Sequence, residues 1–241
     1  MDCVQGIIGA YRWGTLIESW SRSHVLEECG IEPSPSHSSL WNGMVAPYTR
    51  LTLFGFLWYQ GENNAVFNNA KYGCTFPALV EDYRAAFRVP DAAFGFVQLA
   101  TVSYGSPDLR YAQLRWHQTA DEGTVPNPRL KHTFMAVAID TYDEESQAHP
   151  RYKPIVAARL AATGLRTAYG LEDFPEQGPQ MVGATSTDAA LLLTYNQAVH
   201  LNATSLSGFY VCCEGEAACL EATEAAAWPE VVKEAVSQVR V

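Results

Sequence analysis

An apolar run that breaks off at a short polar turn is the first place in this sequence where chemistry is possible. Leu53-Phe54-Gly55-Phe56-Leu57-Trp58-Tyr59 stops at Gln60-Gly61-Glu62-Asn63-Asn64-Ala65. The run has the character of a buried strand, and open α/β sheets bind ligands just beyond the carboxyl ends of their strands. Gln60, Glu62 and Asn63 are therefore candidates to face a substrate. A second candidate is His149, in a polar loop between the apolar run Thr133–Ile139 and a helical pattern that begins after Pro150. An imidazole titrates near neutrality and is the commonest general base. Two carboxylates precede it and could orient it: Asp140 at the end of the run and Asp143 in the loop. Asp140 also suits a plain strand-end cap, and a backbone carbonyl could hold the imidazole instead.

The elements around these residues alternate. Val4–Ala10 is a short strand candidate that leads through Gly14-Thr15 into a possible helix. Leu51–Tyr59 is the central strand. Phe76–Phe87 places Leu79, Val80, Tyr83, Ala86 and Phe87 on one helical face and stops before Pro90. Ala93–Ala100 is the next strand, Asp108–Asp121 a helix, Thr133–Ile139 a third strand, and Ile155–Tyr169 a helix that ends at Gly170. Strands separated by helices predict a parallel sheet covered on both faces. From about Pro175 the pattern changes to the short strand candidates Met181–Ala184, Leu191–Tyr195 and Gly208–Cys212. A helix-like stretch follows Pro229. The expected organisation is thus an α/β domain over residues 1–174 and a β-rich region over residues 175–241.

Composition narrows the partners. The 241 residues are 48% hydrophobic and 17% charged, which suits a folded globular chain. The net charge of −10 speaks against nucleic acid and against an anionic membrane surface. No apolar stretch is long enough to span a bilayer, and Met1-Asp2-Cys3-Val4 does not read as a signal peptide. The six cysteines include Cys212, Cys213 and Cys219, whose spacing does not fit a zinc pair. They read as disulfides of an oxidising compartment or as unpaired thiols. Asn202-Ala203-Thr204 is a glycosylation sequon.

Trp58-Tyr59-Gln60-Gly61-Glu62-Asn63-Asn64 resembles the Gly-x-Asn block of the SGNH hydrolases, in the wording of the sialate O-acetylesterases. His149-Pro150-Arg151-Tyr152-Lys153 resembles the block that carries their catalytic histidine. The resemblance spans about residues 4–220. It implies a flavodoxin-like three-layer sandwich, followed here by a partial β-rich region. It also implies hydrolysis of O-acetyl esters on sialic acids without a metal or organic cofactor, in a lysosomal or secreted glycoprotein. His149 would be the base, and Asp140 or Asp143 would stand in for the family's acid partner. Gly14 and Asn63 would form the oxyanion hole, a role that a backbone N–H and a side-chain amide both suit. Arg115, on a helix that borders the family's site, would meet the sialate carboxylate or simply face solvent.

Two features depart from the family pattern. The Asp of the usual Asp-x-x-His is replaced by Ser146. The Gly-x-Ser nucleophile block that follows the family's first strand is not found, and Tyr104-Gly105-Ser106-Pro107 reads as a turn rather than a nucleophile elbow. The expectation is a chain without that first strand that does not turn over esters by itself. The alternatives are a carbohydrate-binding protein without catalysis and an acetylesterase for another glycan.

Overall fold

A computed structural model describes residues 15–101, 109–145, 150–187, 190–199, 210–211, 220–221 and 236–240. The strand expected at Val4–Ala10 lies outside the described residues, as do Gly14, His149, Asn202 and the cysteines of 212–219.

Three parallel strands form the sheet that carries the site, in the order β1 (Gly55–Trp58), β2 (Ala93–Gln98), β3 (Thr133–Val137). Phe56 pairs with Phe94, and Gly95 with Phe134. Side chains alternate across a strand, and β2 shows where each set goes. Phe94 and Phe96 pack edge-on against Phe76 of α3 (Tyr72–Phe87). Val97 packs with Val156 of α5 (Lys153–Tyr169) on the opposite face. Helices therefore cover both faces of the strands, giving the α/β layering the alternation predicts. Gly95 leaves room for a close contact: a Cβ there would meet the Phe134 ring at 2.4 Å and Leu57 at 2.9 Å.

Several boundaries differ from the pattern for identifiable reasons. β1 spans only Gly55–Trp58, because those are the residues that pair with β2. α3 starts at Tyr72, about one turn before Phe76, led in by a short helical turn at Asn69–Lys71. It stops at Arg88, which takes the left-handed conformation ahead of Val89-Pro90. α4 is Arg110–His117, and it ends there because Ala120 and Asp121 adopt positive φ. Tyr111 and Leu114 are its buried residues, whereas Trp116 is half exposed. α5 ends at Gly170 with φ +69, and the Gly170 N–H donates to the Arg166 carbonyl.

Ahead of the sheet lie α1 (Ile17–Trp20) and α2 (Ser23–Glu28). Arg22 and His24 both engage Asp82 of α3. Cys29 and Cys74 form a disulfide across 45 residues of sequence, fixing the end of α2 to α3. Closing a loop of that length restricts the unfolded chain and contributes about 2–4 kcal/mol. Cys29→Ser is expected to lower the unfolding free energy by that amount, measured by urea denaturation. Reductant should destabilise the native protein by that amount more than it does the variant.

The residues described up to Thr101 and from Arg110 to Glu176 form one compact unit; those from Gln177 onward belong to a second. In the second, β4 (Met181–Thr187) and β5 (Ala190–Val199) form an antiparallel pair, and β8 (Val236–Arg240) joins β5. β6 (Tyr210–Val211) pairs with β7 (Leu220–Glu221). β8 corrects the helical reading of the end of the chain. Leu192 and Leu193 pair with Arg240 and Val239, so a ladder with β5 takes up backbone groups that a helix would satisfy internally. No helix of the described residues is long and apolar enough to cross a membrane.

Candidate active site

The turn after β1 is built on a buried polar network. Asn64 is fully enclosed. Its Oδ1 accepts from the Ile17 N–H and from Gln60 Nε2, both at 2.9 Å. Its Nδ2 donates to Glu18 Oε2 at 3.0 Å and to the Phe67 carbonyl at 3.3 Å. The other Glu18 oxygen accepts from Asn68 at 2.7 Å. Gln60 Nε2 also donates to the Thr15 carbonyl at 3.0 Å. Tyr72 donates to Gln60, and Trp58 Nε1 donates to the Tyr72 hydroxyl at 3.3 Å. Burying a carboxylate is costly unless donors satisfy it, and here two amides do. The consequence is positional: Thr15–Glu18, the segment immediately after Gly14, is bonded to the turn that carries Asn63.

Gly61 gives that turn its shape. Its φ is +139, and a Cβ would meet Leu114 at 3.0 Å and Leu99 at 3.2 Å. The Gly61 carbonyl accepts from Ala65, and the Asn63 carbonyl accepts from Val66 and Phe67. The turn is thus tightened from both sides.

A second polar group lies beside it. Lys153 Nζ stands 4.2 Å above the Tyr59 ring centroid, a cation–π contact. Burial pulls the lysine pKa down, while the Glu62 carboxylate pushes it up. Burial and Glu62 push the Tyr59 phenol up to about 12, so it stays neutral. The Tyr111 hydroxyl donates to the Glu62 carbonyl at 3.4 Å. Lys153, Asn64 and Glu18 did not stand out from the sequence. Lys153 and Asn64 each had one signal, a place in the string that begins at His149 and in the one that begins at Trp58; Glu18 had none beyond following Gly14-Thr15.

Both carboxylates considered as partners for His149 are engaged by arginines. Arg159 holds Asp140 through two bonds of 2.5 and 2.7 Å and also donates to the Val137 carbonyl. This ties the end of β3 to α5, and the Arg159 guanidinium keeps Asp140 below the usual carboxylate range. Asp143 is buried and accepts from Arg151 Nε at 2.6 Å and Nη2 at 2.9 Å. The backbone N–H groups of Arg151 and Glu145 donate to it as well. The pair therefore closes the loop in whose sequence His149 falls.

The Arg151 bonds lower the Asp143 pKa to about 2. A carboxylate depressed in the folded state stabilises it above the unfolded value near 3.8, and that contribution is lost as pH falls through about 2. The clip is thus expected to be intact at pH 5. The Asp143 carboxyl carbon should titrate near 2 by NMR and higher in Arg151→Ala, where only the backbone donors of residues 145 and 151 remain.

Arg115 does not lie on a solvated face. It is half-buried, and its Nη1 is enclosed without an acceptor. Gly14 and His149 cannot be placed against these groups, since both lie outside the described residues.

Comparison with known proteins gives this arrangement a family. Residues 2–163 match the model of the carbohydrate esterases described as sialic acid-specific acetylesterases. The chain is 38% identical over 238 residues to the sialate O-acetylesterases of Pongo abelii and Homo sapiens, with 89% of this chain and 46% of each relative covered. It spans about half the length of the curated relatives it matches. Among solved structures, a carbohydrate acetylesterase from Xanthomonas citri superposes with a TM-score of 0.63 at 27% identity, covering 82% of this chain and 44% of that one. A match over residues 2–163, on a three-stranded parallel sheet whose first described strand ends in the Gln60–Asn64 turn, settles the relationship: the chain belongs to the sialic acid-specific acetylesterase family of carbohydrate esterases.

Proposed function

We propose that this chain supplies the histidine base and the oxyanion donors of an esterase that removes O-acetyl groups from sialic acids. One observation carries the reading: the Gln60–Asn64 network bonds Thr15 and Ile17 to the turn that holds Asn63. That brings the neighbours of Gly14 and Asn63 together at a strand end, as an oxyanion hole built from a Gly N–H and an Asn amide requires. In this reading His149 takes the proton of a serine nucleophile and returns it to the leaving hydroxyl, with Asp140 or Asp143 behind it. Gln60 holds the turn in place, and Glu62 and Arg115 border the sugar. The Cys29–Cys74 disulfide and the Asn202 sequon support a lysosomal or secreted glycoprotein.

The sequence contains no Gly-x-Ser block. The chain alone is therefore expected to release no acetate from O-acetylated sialic acid and to form no adduct with a serine-directed fluorophosphonate. A chimera that adds the part of the human relative this chain does not match should gain both properties. His149→Ala in the chimera should abolish acetate release. A chimera that melts cooperatively yet stays inert would overturn the proposal. It would favour a second reading to which the missing block also points, a carbohydrate-binding protein without catalysis. Faster release from a neutral acetylated sugar than from the sialic acid would instead identify an acetylesterase for another glycan.

A further inference from the structure

α4 lies along the carboxyl edge of the sheet. Tyr111 donates to the Glu62 carbonyl, and Leu114 is fully buried against Gly61. Gln118 accepts from the Leu99 N–H and donates to the Val97 carbonyl, both at 3.0 Å. Arg115 sits among these residues, and its own carbonyl accepts from Gln98, the last residue of β2, at 3.2 Å. Its side chain thus starts where ligands of open α/β sheets bind.

Among the described residues no acceptor reaches the guanidinium, and Nη1 is enclosed without one. Asp121, six residues on, is already paired with His117 at 2.5 Å. Burial alone acts on Arg115 and pulls its pKa down, although a guanidinium stays charged throughout the working range. Buried donors are nearly always satisfied, and a planar guanidinium is shaped to receive a carboxylate through two parallel bonds.

We propose that Arg115 is the specificity-determining residue that pairs with the carboxylate of a bound sugar acid. The inference rests on the esterase reading above and deepens it. It makes sugar acids the preferred ligands of this site over neutral acetylated sugars.

The test is binding, so it does not depend on turnover. The full chain is titrated with N-acetylneuraminic acid and with its methyl ester, which differs only in the masked carboxylate. The free acid is expected to bind saturably and the ester at least ten times more weakly. Arg115→Gln should weaken the acid to the level of the ester and leave the ester unchanged, and Arg115→Lys should recover part of the loss. Equal binding of acid and ester to the native chain overturns the role of Arg115 while leaving a sugar site in place. That comparison requires no variant, so misfolding of Arg115→Gln cannot obscure it. Binding of neither probe overturns the sialic acid reading itself, and the Arg115 assignment with it.

Discussion

Asn64→Leu is expected to destabilise the protein by about 4–6 kcal/mol, more than any other single side-chain truncation in the β1 turn. Leucine keeps the branched four-atom outline but is bulkier than the planar amide, so at this fully enclosed position an overpacking cost adds to the polar one. The substitution leaves the Ile17 N–H without its acceptor and removes one of the two acceptors of Gln60 Nε2. It also takes a donor from the Glu18 carboxylate, which is fully buried. Each buried group left unsatisfied costs about 1–3 kcal/mol, and a charged one more. Asn68 still donates to the other Glu18 oxygen, which keeps the total below that of a bare buried ion. The double variant Glu18→Leu/Asn64→Leu should lose less than the sum of the two single changes, because replacing both partners of a buried polar contact is milder than removing one. Urea denaturation of the four proteins measures this. A single-variant cost below about 1 kcal/mol would mean that water readily replaces the amide and that the network does not hold the residue 15–17 segment.

The contrast between this network and the rest of the fold shows what a sequence can carry. The three sheet strands and α3, α4 and α5 were legible because burial imposes a period on apolar residues: Phe94 and Phe96 against Gly95 and Val97, or Leu79, Val80, Tyr83 and Phe87 on one face. The stop at Gly170 was legible because the left-handed position there suits glycine. The turn was legible as a place, from the break between Tyr59 and Gln60, but not as a mechanism. Nothing in the local pattern says that Asn64 reaches Glu18 across 46 positions, or that Arg159 reaches back to Asp140 across 19. Such polar contacts are set by tertiary placement, which period and propensity do not encode. The same cause separates Arg115 from the solvated helix face. A helical wheel assigns it a side, and only the packing of α4 on the strand ends shows that the side is enclosed. β8 is the reverse case, where a helix-like string became a strand because β5 offered a partner.

Gly61→Val carries the other large effect, about 2–6 kcal/mol. Two costs add. A β-branched residue at φ +139 is held in a backbone region that side chains with a Cβ rarely adopt, which costs about 1–3 kcal/mol. The Cβ itself would stand 3.0 Å from Leu114 and 3.2 Å from Leu99. Both leucines are almost completely buried and have no free volume to retreat into, so overpacking adds about 1–3 kcal/mol. Gly61→Ala separates the two costs. It carries the backbone strain and the first steric contact but not the branched methyls, so it should lie between the native protein and the valine variant. Leu114→Ala in the Gly61→Ala background opens space on one side. It should therefore cost less there than in the native protein, where it only leaves a cavity. Thermal and urea melts of this series decide the matter. If Gly61→Ala leaves stability unchanged, the turn has another conformation open to it, and the placement of Asn63 by Gly61 must be abandoned. If Gly61→Ala is destabilised and Leu114→Ala costs less in that background than in the native protein, the close contact between α4 and the turn is what fixes where Asn63 stands at the end of β1.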